Sequence, residues 1–194
     1  EGDTAWVDAF LDGFLELAAL HKVALVGGDT TRGPLSVCVT VHGLVGEDAA
    51  LRRDGAHAGD DIWVSGTLGD AAGALAKGRQ APAALRSRLD RPEPRIALGQ
   101  VLAGVASAAI DISDGVLADL GHVGHASGVG ARIELDMLPA SDALRNAFDA
   151  KARRVLQATG GDDYELCFTV APGQRSDVMA IARKTGVAVT RIGS

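Results

Sequence analysis

The chain has few basic residues and few aromatic ones. It carries 19 Lys and Arg against 25 Asp and Glu, a formal net charge of −6 at pH 7, and aromatic residues make up 4% of the sequence. Proteins that bind nucleic acid gather an excess of Lys and Arg on one face, so we expect no nucleic-acid partner. Because 47% of the 194 residues are hydrophobic, the chain is able to bury a core of small aliphatic side chains.

Long apolar runs and paired cysteines are also missing. A membrane-spanning helix needs about 18 or more apolar residues in a row, and neither such a run nor a basic-then-apolar leader is present. We therefore expect a cytoplasmic protein with no membrane contact. Cys38 and Cys167 each lie in an apolar run typical of a strand, without CxxC spacing, so we expect both to be reduced core residues.

The usual nucleotide and zinc motifs are absent from the sequence. No Lys follows a Gly, which excludes a Walker A loop, no GxGxxG follows a strand, and no HExxH occurs. Any phosphate chemistry in this protein must therefore depend on another arrangement of residues.

The spacing of apolar residues predicts an α/β fold. Residues 4–20 have the period of an amphipathic helix, and strands are predicted at 22–26 and 34–45. After a polar, glycine-rich stretch at 46–60, strands alternate with helices, which favours a mixed sheet covered by helices. The predicted strands there are "DIWVSG", "AAIDIS", "ARIELD", "YELCFTV" and "VAVTRI", and the predicted helices lie within 69–106, 115–126, 141–158 and 173–185.

The first fifty residues contain too few elements for a domain with its own core, since they supply one predicted helix and two strands. We expect residues 1–54 to be the C-terminal part of an incomplete N-terminal domain. Residues 55–194 are expected to form a C-terminal α/β domain that lacks its last residues.

Three acidic turns are the candidate sites of chemistry: "GGDT" at 27–30, "DISDG" at 111–115 and "GGDDYEL" at 160–166. Asp and Gly are also ordinary turn and N-cap residues, which is the alternative interpretation of any one turn. An N-cap does not explain Asp111, because this residue ends an apolar strand. We expect its carboxylate to be buried and to need a cation.

The ligand types in these turns favour a hard cation. Carboxylate oxygens without His or Cys select magnesium, manganese or calcium rather than zinc. In the first turn, Gly27 and Gly28 would let a phosphate approach the backbone while Asp29 holds the metal on it. An acidic protein can bind a polyphosphate in this way, because the cation bridges the two sets of oxygens.

A serine hydrolase is the competing interpretation of "DISDG". A nucleophile elbow needs Gly two residues before the serine, and Asp111 occupies that position. His122 and His125 follow on the next predicted helix, but we expect His122 to pair locally and His125 to be exposed. This interpretation is therefore disfavoured.

The sequence resembles the thiamine-monophosphate kinase family, part of the superfamily that includes aminoimidazole ribonucleotide synthetase and selenophosphate synthetase. The resemblance covers nearly the whole chain and is carried by "LVGGDTTRGPLSVCVTVHG", "GDDIWVSGTLGDAAGAL", "AAIDISDGVLADLGHV", "GARIELDMLP" and "GGDDYELCFTV". It implies ATP-dependent phosphorylation of thiamine monophosphate to thiamine diphosphate. Transfer in this family is direct and in line, with several magnesium ions and no covalent enzyme intermediate.

The resemblance also implies that the incomplete N-terminal domain, residues 1–54, binds ATP, and it implies roles for particular residues. Arg53, otherwise one of a solvated pair with Arg52, matches an ATP-contacting arginine. Asp162 stands where well-known members have a glutamate that contacts the thiamine portion, and it is one methylene shorter. The implied ATP contacts are Gly28, Asp29, Arg53 and Ser113, and the implied magnesium ligands are Asp29, Asp111 and Asp114.

The family forms homodimers through its leading domain, whose acidic motifs are not present in this sequence. We therefore expect little or no turnover from the 194-residue chain alone. One alternative is another ATP-using member of the superfamily, such as an aminoimidazole ribonucleotide synthetase-like enzyme, which "GGDTTRG" and "GGDDYELCF" argue against. The other is a non-catalytic module that binds magnesium and nucleotide.

Overall fold

The computed structural model describes residues 4–47 and 49–194. The chain divides into two compact units, a first that ends at Leu44 and a second that spans Val45–Ser194. Position 48, which falls in the polar stretch predicted at 46–60, and the first three residues lie outside the described part of the chain. The division predicted at residue 54 concerns domains of the intact protein and stays a prediction.

Residues 4–44, the described part of the first unit, contain one long helix and no strand. Helix α1 (Thr4–Leu20) confirms the predicted amphipathic helix, and the rings of Trp6 and Phe10 stack with centroids 5.5 Å apart. None of its residues is buried. Its apolar face is therefore exposed within this unit.

The strands predicted at 22–26 and 34–45 are wrong for this structure, because the residues described there form none. A strand is stabilised by a neighbour that binds its backbone N–H and C=O groups. The described part of the first unit offers no such neighbour. Cys38, expected in the core, is exposed for the same reason.

The second unit alternates helices with short strands, largely as predicted. None of the described helices is long and apolar enough to cross a membrane. The unit's elements, in chain order, are β1 (Asp61–Ser65), α2 (Asp70–Lys77), α3 (Ala83–Asp90), α4 (Ile96–Leu102), β2 (Ala108–Asp111), α5 (Val116–Ser127), α6 (Asp142–Ala147), α7 (Ala150–Thr159), β3 (Leu166–Val170), α8 (Arg175–Thr185) and β4 (Val189–Gly193), with 3-10 turns at Gly78–Gln80, Leu135–Met137 and Pro172–Gln174.

Local sequence explains where two of these helices begin. Ser141 accepts a hydrogen bond from the backbone N–H of Leu144 at the start of α6, and Asp149 accepts one from Ala152 at the start of α7. Such side-chain caps satisfy N–H groups that have no partner within the helix. The predicted helical region 141–158 is therefore two capped helices.

The four strands form one sheet in the order β2-β3-β1-β4, and every neighbouring pair is antiparallel. The α/β class and the helical cover are confirmed, but the predicted mixed sheet is wrong. Because all three neighbouring pairs are antiparallel, none of the described connections has to be a crossover between parallel neighbours.

The predicted strand "ARIELD" is reduced to a single bridge between Ile133 and Gly193. Hydrogen bonds join Arg132 to Ser194 and Glu134 to Ile192, and the chain then curls into the turn Leu135–Met137. The segment thus lies beside β4 but leaves the sheet too soon to form a strand.

The sheet is covered on both faces because successive strand residues point in opposite directions. On one face Ile62, Val64 and Cys167 pack with buried side chains of α5. On the other, Trp63 and Phe168 pack with residues of α4 and α8. All five residues of β1 are buried, and the three central ones, Ile62, Trp63 and Val64, are apolar. In β3, burial raises the pKa of the Cys167 thiol to about 12.

Candidate active site

The acidic turn "DISDG" follows directly from strand β2, whose last residue is Asp111. The expected burial of Asp111 is wrong: its side chain is exposed at the end of the strand, as is that of Asp114, while Ser113 is partly buried. An exposed carboxylate needs no cation to offset its desolvation. Asp111 is instead available to a ligand from solvent.

The turn is held by Asp119, a residue of the first turn of α5. One of its carboxylate oxygens, Oδ2, accepts hydrogen bonds from the backbone N–H groups of Ser113, Asp114 and Gly115 at 3.1, 3.0 and 3.0 Å. Asp119 is only 3% exposed. Three N–H donors compensate the burial of this carboxylate, as a buried charge requires.

The loop "GGDDYE" pairs with this turn through the backbone. The N–H of Asp162 donates to the carbonyl of Ser113, and that of Tyr164 donates to the carbonyl of Ile112, both at 2.9 Å. Asp162 and Tyr164 have φ angles of 64° and 50°, a left-handed conformation that is uncommon outside Gly and Asn. A side chain at Gly161 would collide with the carbonyl oxygen of Ser113.

Acidic side chains from the two paired loops lie near one exposed tyrosine, Tyr164. Partial burial raises the pKa of Tyr164, and the charges of Asp162, Asp111 and Asp114 raise it further. Its hydroxyl lies 3.4 Å from Oδ1 of Asp162. The structure therefore brings together three of the predicted site carboxylates, with Ser113 between two of them in sequence.

Glu165, the last residue of the second loop, is fully buried and binds to other parts of the chain. It accepts hydrogen bonds from Arg88 at 2.6 Å, from Arg95 at 2.6 and 2.7 Å, and from the hydroxyl of Ser65 at 2.5 Å. Burial alone would raise the pKa of Glu165, but the hydrogen bonds from Arg95 and Ser65 and the two arginine charges hold it below its ordinary value. Next to this network lies a cavity of about 350 Å³, also lined by Thr67.

Asp163 is also buried, but fewer hydrogen bonds compensate the burial of its carboxylate. Its Oδ2 accepts a hydrogen bond from the N–H of Gly69 at 2.7 Å, at the start of α2, while its Oδ1 has no partner among the described residues. Burial, with the nearby charge of Asp70, raises the pKa of Asp163 to about 7, although the amides of Gly69 and Ala71 and the charge of Arg88 act to lower it.

The backbone at Arg52 and Arg53 lies beside strand β2 and helix α5. The carbonyl of Arg52 accepts a hydrogen bond from Ala109 of β2, and the carbonyl of Arg53 accepts one from Ser127 of α5 at 3.2 Å. The side chain of Arg53 is exposed. The backbone of this predicted ATP contact is thus fixed beside the strand that ends in Asp111.

Gly28 and Asp29 belong to the first unit and are both exposed there. Asp29 makes no side-chain hydrogen bond with any residue that the structure describes. Their roles as nucleotide and metal contacts stay predictions.

His122 and Ser113 do not form a hydrolase pair. No hydrogen bond joins Ser113 to a histidine in the described ranges, and His122 instead lies near Asp114 and Asp119, with ligand atoms within 4.8 Å of one another. His125 is exposed, as expected. The arrangement lacks the base that a serine nucleophile needs.

Sequence reasoning missed the residues that shape the two loops. They make their contacts across distant parts of the chain, as between Glu165 and Arg95. Two signals were nonetheless present: an Asp within the first turn after a glycine, and two arginines near the proline-containing break "RPEP". The missed residues are Arg88, Arg95, Asp119, Asp163 and Glu165.

Known proteins resemble this chain over its whole length. Residues 57–194 match the family model described as AIR synthase related protein, C-terminal domain. The thiamine-monophosphate kinase of Salmonella typhimurium is 45% identical over 209 residues, an alignment that covers 100% of this chain and 62% of that protein. The chain thus spans less than two thirds of the length of the curated relatives that it matches.

Solved structures agree with the sequence matches. A crystal structure of thiamine-monophosphate kinase from Stenotrophomonas maltophilia K279a has a TM-score of 0.90 and 47% identity, covering 100% of this chain and 65% of that one. The structure of AaThiL complexed with AMPPCP and TMP has a TM-score of 0.62 and 32% identity over 74% of this chain and 47% of that one.

Proposed function

The chain belongs to the family of AIR synthase related proteins, and we propose that within it the complete natural chain is an ATP-dependent kinase that phosphorylates thiamine monophosphate to thiamine diphosphate. The observation that carries this proposal is the backbone pairing of the loops 111–115 and 160–165, which gathers Asp111, Asp114 and Asp162. Relatives of 43 to 45% identity are thiamine-monophosphate kinases, and one related protein was solved with AMPPCP and TMP.

The residues at the paired loops fit magnesium. Mg²⁺ prefers oxygen ligands, keeps several waters, and is commonly held by one or two carboxylates together with substrate phosphates. Asp111 and Asp114 offer exposed carboxylates of this kind, and we propose that they and Asp29 hold the ions. When bound, magnesium neutralises the charge of the phosphate oxygens that face these carboxylates.

The protein's own part in the reaction is alignment. We propose that Gly28, Asp29, Arg53 and the hydroxyl of Ser113 orient ATP, and that Asp162 binds the thiamine portion of the acceptor. Phosphoryl transfer asks a protein mainly for positioning and charge neutralisation. Because Ser113 has no histidine base among the described residues, direct in-line transfer to the acceptor phosphate is preferred over a covalent serine intermediate.

The proposal extends to the complete protein. We propose a cytoplasmic homodimer whose ATP-binding domain includes residues 1–54, with residues 55–194 as the C-terminal domain. Catalysis by the 194-residue chain alone should be weak or absent, since relatives contain further sequence that this chain does not cover.

The test is to incubate the complete natural chain with magnesium-ATP and thiamine monophosphate and to measure thiamine diphosphate by chromatography. Asp111→Asn and Asp114→Asn should each lower the rate about 100-fold or more and raise the magnesium requirement. Asp142→Asn, an exposed acid on α6, is the matched control and should be unchanged. Magnesium-dependent nucleotide binding without thiamine diphosphate formation would support a non-catalytic module instead.

A further inference from the structure

Asp119 binds the turn that precedes its own helix through both its side chain and its backbone. Its Oδ2 accepts from three successive N–H groups, and its own N–H donates to the carbonyl of Gly115 at 2.9 Å. Gly115, with a φ of 117°, packs so closely against Thr159 that a side chain there would lie 2.9 Å from its carbonyl group. The turn is therefore held from two sides.

These hydrogen bonds determine which groups the turn can offer a ligand. At a free helix N-terminus, the N–H groups point at an incoming anion and bind it directly. Here the N–H groups of Ser113, Asp114 and Gly115 already donate to a buried carboxylate. A phosphate would have to displace Asp119 to use them, so the hydroxyl of Ser113 and the exposed carboxylate of Asp114 are the groups left for binding.

The same contacts also fix the position of the second loop. The carbonyl of Ser113, whose N–H is held by Asp119, accepts the hydrogen bond from Asp162 at 2.9 Å. Movement of the first turn would therefore displace the backbone of Asp162 as well.

We propose that Asp119 is a positioning residue, which fixes the turn 111–115 so that it presents side-chain oxygens rather than backbone amides to magnesium and nucleotide. The residue itself does not touch the ligand. The ligand assigned to the turn rests on the proposed function, whereas the hydrogen bonds from the turn to Asp119 can be tested separately.

The first experiment measures amide hydrogen exchange by NMR in the 194-residue chain. Asp119→Ala should speed exchange at Asp114 and Gly115 at least about tenfold, and Asp119→Asn, which keeps a weaker neutral acceptor, should speed it less. Asp177→Asn, an exposed acid in the first turn of α8, is the control and should change neither amide. If a folded Asp119→Ala or Asp119→Asn chain keeps full protection at both amides, the hold does not exist.

The second experiment measures the magnesium concentration for half-maximal nucleotide binding to the complete natural chain, by calorimetry, alongside turnover. Asp119→Ala should raise this concentration about tenfold, with partial rescue in Asp119→Asn. A variant that melts earlier but keeps the normal magnesium requirement would overturn the positioning role.

His122→Ala separates positioning from direct ligation. If Asp119 acts through the turn, replacing His122 should leave the magnesium requirement unchanged. An equal increase from His122→Ala and Asp119→Ala would mean that both side chains bind the ion, which contradicts the proposal. Absence of thiamine diphosphate formation in the unmodified protein would refute the proposed function, while amide exchange and nucleotide binding would still decide the role of Asp119.

Discussion

Two acidic, glycine-bearing segments of this protein have similar composition and different surroundings. The segment at 27–30, predicted as a turn, forms none and has no strand on either side, and Asp29 makes no side-chain hydrogen bond in the described part of the chain. The turn at 111–115 follows a paired strand, is bound by Asp119, and is paired with the loop at 160–165. The two segments are alike in composition, but only the one with paired neighbours bends, and only there does the backbone give the side chains fixed positions.

Two buried carboxylates of the second loop, Glu165 and Asp163, also differ in their surroundings. Glu165 is fully buried and accepts hydrogen bonds from two arginines, whereas the buried Asp163 accepts one from a backbone N–H and leaves Oδ1 without a partner in the described ranges. A buried charge that loses its partner is costly. The paired loops should therefore be sensitive to substitutions that the segment at 27–30 tolerates.

The largest effect is expected from Arg95→Ala. This change removes two hydrogen bonds to Glu165 and leaves a buried carboxylate undercompensated, so the free energy of unfolding should fall by about 3 to 5 kcal/mol. Urea unfolding in a Trp6→Phe background is a suitable measurement, because the buried Trp63 then reports on the second unit alone. Arg86→Ala removes an exposed pair with Asp90 and should cost at most about 1 kcal/mol.

Equal losses in those two variants would show that the contacts of Glu165 do not stabilise the second loop. Unequal losses, with unchanged urea dependence of the unfolding free energy, would confirm the contrast between a buried and an exposed pair.

A smaller effect is expected from Asp163→Asn, and it should depend on pH. The folded pKa of about 7 lies above the ordinary value of 3.8, so the folded chain binds a proton that the unfolded chain has already lost between those two values. Stability should therefore fall as pH rises through that window. Between pH 5 and pH 8, the variant should lose about 2 to 3 kcal/mol less than the unmodified chain.

Asp29→Asn is the matched change in the other segment. Its unfolding free energy should follow that of the unmodified chain at each pH, within about 0.5 kcal/mol. A pH profile of Asp163→Asn that also coincides with the unmodified chain would mean that Asp163 is already ionised at pH 5 in the folded protein, which contradicts the raised pKa.

The smallest effect is expected from single methyl groups added to the two regions. Gly161→Ala forces a contact with the carbonyl oxygen of Ser113 and should cost about 1 to 2 kcal/mol. Gly27→Ala meets nothing within 4 Å and should lie within about 0.5 kcal/mol of the unmodified chain, because alanine also restricts the unfolded state. Thermal unfolding measured on both variants tests this, and a neutral Gly161→Ala would argue against close pairing of the loops.

Much of the second unit could be predicted from its sequence. Apolar runs such as "DIWVS" and amphipathic segments such as 175–185 form elements whose residue period is set by local geometry, whatever surrounds them. The first unit shows where this reasoning fails, since "KVALV" has the composition of a strand but no partner strand in the described residues. The relative direction of neighbouring strands was also not predictable, because no local pattern in these short strands distinguishes an antiparallel neighbour from a parallel one.

The sequence by itself determined which residue types stand at the predicted site: carboxylates near glycines, with Ser113 between two of them, and a resemblance strong enough to suggest the chemistry. Only the tertiary structure decided that Asp111 is exposed, that Asp119 binds the turn, and that Glu165 lies buried between arginines. The physical reason is that composition is local, whereas conformation is not: similar Asp and Gly residues bend after the paired strand β2 and form no turn at 27–30. Burial and hydrogen-bond partners depend on residues as far apart in the chain as Arg95 and Glu165, which no short stretch of sequence contains.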